Sequence, residues 1–317
     1  MSETKTEVFE GYTKTEGRFK SADGLHGIYY VLYRPDSEPK GVLQIAHGMC
    51  EYIGRYDDFA AYLAKNGFVV CGNDHLGHGK SVDDESELGW FADEKGWQKC
   101  VADMYKLTKL VKEEYPDLPY FILGHSMGSF MTRAYITKFH RELDGAVICG
   151  TGGGMPGVPA LLTLVDGISK LHGSRYRSST VNKMAFGMYN SRIDDVKTGY
   201  EWISRDEAIV EKYTNDPLCT YIFTLNGFEN LAKVMWYVSN DKWFVTYPKE
   251  LPTFIISGSA DPVGDYGKGV LKVYNRLRIE GCDTQLKLYS GARHELLNEI
   301  NRDEVYDDIK AFLESQI

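Results

Sequence analysis

The chain has 317 residues, 43% hydrophobic and 26% charged, with a formal net charge of −9. That is long for one ordinary domain, normal for a large α/β domain with an insertion, and enough to bury a sizeable core. No cluster of Lys or Arg offsets the acidic balance, which argues against nucleic acid as a partner and against electrostatic docking on anionic lipid.

The first residues, MSETKTEVFEGYTK, are polar and acidic, so no signal peptide is expected, and no apolar run reaches transmembrane length. Residues 27–34 (GIYYVLYR) and 41–47 (GVLQIAH) are β-rich. Residues 59–66 continue a helix and 67–72 (GFVVCG) form a buried strand. Trp97, Val101, Met104, Leu107 and Val111 recur at three and four, so residues 93–114 form an amphipathic helix that Pro116 ends. A strand at 120–123, a helix at 127–140 and a strand at 145–149 follow. The alternation stops from about 152 to 240, a stretch with several helical patterns and few strands. It resumes with a strand at 253–257, a helix near 267–279, a strand at 285–289 and a last helix from Glu295. Strands alternating with helices predict an α/β fold with a mostly parallel sheet of about eight strands. Residues 1–151 and 241–317 form its core, and residues 152–240 a helical cap. The six cysteines are scattered without a Cys-x-x-Cys pair, as expected of free thiols in a reducing cytoplasm rather than a disulfide framework or zinc cluster.

Gly124-His125-Ser126-Met127-Gly128 lies between the strand at 120–123 and the helix that follows. A serine at such a tight turn takes strained dihedrals and crowds the residues two before and two after, so glycine at both places removes a Cβ clash. The turn lifts the hydroxyl above the sheet and points the N-terminus of the next helix at it. A free hydroxyl is a poor nucleophile and needs a base. His125 is adjacent, but its side chain should point away from that of Ser126.

In TFIISGSADPVGD, Asp261 follows the C-terminal end of a strand, where open parallel sheets place functional groups. Asp265, four residues on, is its rival. In LKLYSGARHELLNE, His294 follows the next strand and is the one histidine beyond the candidate acid. HELLN lacks the second histidine of a zinc motif. His294 is therefore expected to take the proton of Ser126, with Asp261 holding its tautomer. The His-Gly turn in QIAHGMCEYIGRY should set a backbone N–H over the nucleophile. The oxyanion donors are then the N–H groups of Met49 and Met127. In NDHLGHGKS, Asp74, His75 and His78 could supply metal ligands, but Gly77 and Gly79 suggest a mobile loop. The loop reads better as buried polar structure bracing the oxyanion turn. The G-x-G-x-x-G spacing at 152, 154 and 157 is a weak dinucleotide signal, since Pro156 and Pro159 interrupt the helix it needs.

Together HGMCEYIGRY, NDHLGHGKS, GHSMGS, SRDEAIVEKYTNDPL, GSADPVGD and GARHELLNE resemble the α/β-hydrolase superfamily. Within it they are most similar to the monoacylglycerol lipase and lysophospholipase group, which includes serine aminopeptidase-like members. These stretches run in family order from about residue 42 to 299. The resemblance implies an α/β-hydrolase fold with a helical cap, the triad Ser126, Asp261 and His294, and no cofactor. It also implies a small acyl ester as substrate. Related proteins often carry small residues where this chain has Met49 and Cys50, whose bulk narrows the acyl channel.

Leu161, Leu164, Val165, Ile168 and Leu171 make an apolar stripe in the cap, and Phe223, Leu225, Phe228, Leu231, Val234, Met235 and Trp236 a second block. They read either as a wall for an acyl chain or as packing of the cap onto the core. Cys50, Leu161, Leu164, Phe223, Phe228 and Val263 are the candidate substrate contacts. The cap could also touch a lipid surface transiently. Asp206, Glu207 and Glu211 could recognise the amine of a peptidase substrate, or form a solvated helix face. The sequence thus predicts a serine carboxylic ester hydrolase. A serine aminopeptidase on the same scaffold and a non-catalytic ligand-binding homologue are the alternatives.

Overall fold

The computed structural model describes residues 4–154 and 157–317; Met155 and Pro156 of the glycine-rich stretch lie outside the described residues. Nine strands form one sheet in the order β1-β2-β3-β5-β4-β6-β7-β8-β9. The first three are β1 (Lys5–Phe9), β2 (Tyr12–Lys20) and β3 (Gly27–Pro35). They pair antiparallel, and β3 runs antiparallel to β5. Then come β4 (Gly41–Ala46), α1 (Asp57–Lys65), β5 (Phe68–Asn73), α2 (Gly96–Glu114), β6 (Tyr120–His125), α3 (Met127–Phe139) and β7 (Gly145–Cys149). Helices α4 (Val158–His172), α5 (Ser179–Phe186), α6 (Glu207–Thr214), α7 (Leu225–Ser239) and α8 (Asp241–Thr246) separate β7 from β8 (Thr253–Gly258). The chain ends with α9 (Lys268–Ile279), β9 (Thr284–Tyr289) and α10 (Arg302–Glu314).

Strands β4 to β8 are buried along their whole length and so read as continuous apolar runs. Successive side chains still alternate between faces. Phe121 and Leu123 join the layer under α1 and α10, whereas Ile122 joins the layer under α2, α3 and α9. Helices on both faces of a mostly parallel sheet make this the α/β-hydrolase arrangement.

Four details depart from expectation. The β1–β2 hairpin adds an edge that the sequence pattern hides. Helix α2 starts at Gly96 rather than 93. Pro159 does not break a helix but sits in the first turn of α4, where its missing N–H costs nothing. The last helix starts at Arg302, not Glu295. The Glu299 carboxylate accepts from the backbone N–H groups of Arg293, Arg205 and Ile300, which holds this stretch as a braced loop.

Arg133 of α3 is wholly buried and joins both ends of the inserted helical segment to the core. Its guanidinium donates to Thr151 Oγ1 (3.2 Å) and Gly152 O (3.0 Å) at the entry and to Val238 O (2.5 Å) at the exit. It lies over the Trp243 ring, 4.4 Å from the centroid. Burial pushes its basicity down, to about 9.

Candidate active site

Ser126 sits between β6 and α3 with φ 53° and ψ −120°, a conformation that costs about 1–3 kcal/mol and persists only when the surroundings enforce it. They do so by close packing. A Cβ on Gly124 would lie 2.5 Å from Gly128 O, and one on Gly128 would lie 2.5 Å from His47 O. The serine's backbone is tied down by its own N–H to Cys149 O (3.0 Å) and by the hydroxyl of Ser129 donating to Ser126 O (2.5 Å).

Asp261 and His294 lie in the loops after β8 and β9 and meet across the end of the sheet. His294 Nδ1 is 3.0 Å from Asp261 Oδ2, and both side chains are buried. The carboxylate is held in turn: Oδ1 accepts from Val263 N (2.9 Å) and Oδ2 from the Ser257 hydroxyl (3.3 Å). Asp265, the rival acid, is an exposed turn residue with φ 48°. Trp202 packs on the His294 ring with centroids 5.1 Å apart, and Arg293 donates to Glu201 O and Ser204 O. The loop carrying His294 is therefore clamped to the inserted segment.

The turn after β4 presses against the serine: a Cβ on Gly48 would lie 3.0 Å from Ser126 Cβ. Behind it, His47 Nε2 accepts from His75 N (2.9 Å) and His75 Nε2 faces His47 O (3.1 Å). Asp74 accepts from Ile53 N (2.8 Å) and Lys80 N (2.6 Å). This loop braces the turn. Gly77 and Gly79 take positive φ where the chain closes over Trp90 and Asp74, so they serve tight packing rather than slack. Burial lowers the basicity of His47, of His75 (to about 4) and of His78 (to about 3).

These rings stabilise the fold fully above the unfolded pKa near 6.5, and that contribution is lost as pH falls towards 4, because the unfolded chain binds protons that the buried rings do not. Each contributes about 1.4 kcal/mol per pH unit in that window. Asp74 and Asp103, each raised to about 6 by burial, act oppositely below pH 6 and offset two of them. Urea unfolding at several pH values should show stability falling below pH 6.5. His78→Phe should reduce the slope by one such increment; identical slopes would contradict the assignment.

Ser126 and His294 open into a cavity of about 340 Å³. Met49, Cys50, Met127 and Val263 line it, with Phe186, Tyr189, Tyr200, Trp202, Tyr213 and Tyr221 from the inserted segment.

The chain is similar to known proteins. Residues 37–301 match the family model described as serine aminopeptidase, S33. The chain belongs to that family of α/β-hydrolases. It is 27% identical to a monoacylglycerol lipase of Mycolicibacterium smegmatis over 305 residues, covering 96% of this chain and 99% of the relative. It is 28% identical to the monoglyceride lipase of Homo sapiens over 293 residues, covering 88% and 83%. A thermostable carboxyl esterase from Bacillus coagulans, solved in complex with glycerol, superposes with a TM-score of 0.90 at 34% identity, covering 95% and 98%. This S33-family member is a hydrolase.

The sequence-derived substrate contacts divide. Cys50 and Val263 reach the cavity of the S33-family hydrolase, whereas Leu161, Leu164, Phe223 and Phe228 do not line it. Leu161 packs against the core and Leu164 faces outward. Phe223 and Phe228 are fully buried against each other and against Phe91 and Phe186. An apolar stripe shows that a helix packs, not which neighbour it packs on. Leu231 and Met235 of the same apolar block do face the cavity. Glu207 and Glu211 are exposed, and Asp206 caps α6 by accepting from Ala208 N (3.0 Å).

Sequence reasoning missed a buried charge chain beneath the cavity. Arg55 makes a paired contact with Glu295 (2.5 and 2.7 Å) and reaches Glu51 (3.3 Å), whose carboxylate lies 3.0 Å from His125 Nδ1. Burial works against ionising Glu51, but His125 and Arg55 hold its carboxyl well below the usual range. The spacing Glu51–Arg55 was the available signal, two opposite charges four apart in an otherwise apolar turn. No helix among the described residues is long and apolar enough to cross a membrane.

Proposed function

We propose that this hydrolase cleaves monoacylglycerols, lysophospholipids or related small acyl esters through an acyl-serine intermediate. The observation that carries the reading is the strained Ser126 opening, with the hydrogen-bonded His294–Asp261 pair, into one largely apolar cavity. The names of its relatives support the same substrate class.

In this reading His294 Nε2 takes the Ser126 proton as Oγ bonds to the acyl carbon, and the carbonyl electrons become an oxyanion. Neither the Met49 nor the Met127 N–H meets an acceptor among the described residues, which leaves both for that oxygen. Collapse breaks the ester C–O bond, and His294 gives its proton to the departing alcohol. Water, deprotonated by His294, then releases the carboxylic acid and restores Ser126. Asp261 keeps the Nδ1 proton in place and balances the imidazolium.

Residues 152–240 act as a cap over the cavity. Exposed Leu171, Met184 and Met188 on it suit transient contact with a lipid surface. All six cysteines are free and buried, which supports a reducing, cytoplasmic setting.

An aminopeptidase needs a free carboxylate for the substrate ammonium. The two at the cavity wall, Glu51 and Glu295, are engaged by His125 and Arg55, which favours esters. A cavity near the lower end of the ligand-site range favours short and medium chains. A panel of monoacylglycerols of increasing length, lysophospholipids, aryl esters and aminoacyl-naphthylamides tests this. Short and medium monoacylglycerols should exceed long ones by about tenfold in kcat/KM. Turnover of the naphthylamides without ester turnover would refute it.

A further inference from the structure

His125, passed over as a base, occupies an unusual place. Its ring lies 4.6 Å from that of His294, centroid to centroid, and is buried with it. Its Nε2 is 3.2 Å from the backbone oxygen of His294, and its Nδ1 is 3.0 Å from Glu51 Oε1. A carbonyl oxygen has no proton to offer. The Glu51 carboxylate is itself receiving bonds from Gly48 N, Arg55 and the Tyr56 hydroxyl. Tyr56 also stands 3.0 Å from Nδ1, but the shorter, charge-assisted contact for its single proton is Glu51 Oε1 at 2.8 Å. Both ring nitrogens therefore face acceptors, and a neutral ring would turn a lone pair towards one of them.

We propose that His125 is a positioning residue, a buried imidazolium strung between Glu51 and the His294 main chain, which fixes the His294 loop and sets a positive charge 4.6 Å from the His294 ring. The proposal rests on His294 serving as the base of the ester hydrolase.

The charge is consistent with the surroundings. Burial opposes it, but Glu51 outweighs burial and raises His125 above its ordinary value, with Glu295 adding to the effect. The groups facing the ring are Glu51 from the turn after β4, Arg55 and Tyr56 from the short helix after it, and His294 and Glu295 from the loop after β9. Cys149 of β7 pairs beside it, and Asp261 lies on the far side of His294. Arg55 and Glu295 neutralise each other, and Glu51 balances His125, so the chain stays intact without solvent. The imidazolium stands 4.6 Å from the His294 ring, centroid to centroid. Its charge repels the imidazolium that the reaction creates on His294, and Asp261 offsets that repulsion.

The experiment is the pH profile of kcat/KM on a short aryl ester for wild type and His125→Gln. The glutamine amide keeps a donor for the His294 oxygen and removes the charge. The acid limb should move up by about one pH unit, and the alkaline plateau should fall less than about tenfold. A lowered plateau with an unmoved limb would mean packing alone and would overturn the proposal. Should the variant not fold, nitrogen-15 NMR of the wild-type histidine rings decides. The ring assigned to His125 should keep the doubly protonated pattern above the pH at which an ordinary histidine loses it, and a neutral His125 ring there overturns the proposal. Failure of the underlying reading is distinguishable, because a fluorophosphonate probe would then leave wild-type Ser126 unlabelled.

Discussion

Replacing Ser126 with alanine should lower kcat on short p-nitrophenyl esters by about 10⁴- to 10⁶-fold, the loss expected when a covalent nucleophile is removed from a cooperating set. The fold should survive, since the residue is held by its backbone N–H and C=O and its side chain faces the cavity. Asp261→Asn should cost about 10⁴-fold at unchanged structure, because an amide beside Nδ1 favours the wrong tautomer of His294. Steady-state kinetics with circular dichroism on both variants checks this. Full activity in the alanine protein would sink the acyl-serine mechanism.

The second large effect concerns stability. Arg55→Met should destabilise the fold by about 3–5 kcal/mol, the cost of leaving a buried carboxylate without its partner. The Arg55 side chain is only 8% exposed, and those of Glu295 and Glu51 5% and 4%. Arg55 also lies over the Tyr213 ring of α6 at 4.8 Å, so its loss loosens the inserted segment as well as the charge chain. Combining it with Glu295→Leu should recover much of the loss, because no charge then remains unpaired. Urea unfolding of the single and double variants measures both. A loss below 1 kcal/mol in the single variant would mean that water reaches the site.

The parts of this fold legible in the sequence are those where sterics leave few choices. The serine elbow shows itself because a Cβ at 124 or 128 collides with backbone oxygens, and strands β4 to β8 because both faces are buried. The edge hairpin was not legible. All five residues of β1 are exposed, so KTEVF carries no burial pattern, and its place depends on pairing with β2. The start of α10 was misjudged because the Glu299 carboxylate takes up backbone N–H groups that a helix would otherwise have claimed. The Arg55–Glu295 pair joins residues 240 apart, a separation at which local pattern carries no signal. Asp261 and His294, which the fold brings within 3.0 Å, could be singled out because each follows a recognisable strand of the parallel sheet. Of the candidate substrate contacts only Cys50 and Val263 line the cavity, since which face of an inserted helix meets it is decided by the helices around it.

One guanidinium, that of Arg133, touches the main chain at residues 152 and 238. The two junctions of the inserted segment therefore stand side by side, within the span of a single side-chain head. Seen from the sheet, the insertion leaves and returns at one place, while Trp202 and the backbone oxygens of Glu201 and Ser204 hold its far part to the loop of His294. A change in the length of that segment is thereby absorbed where the chain leaves and returns, with the spacing of β7 and β8 unaltered.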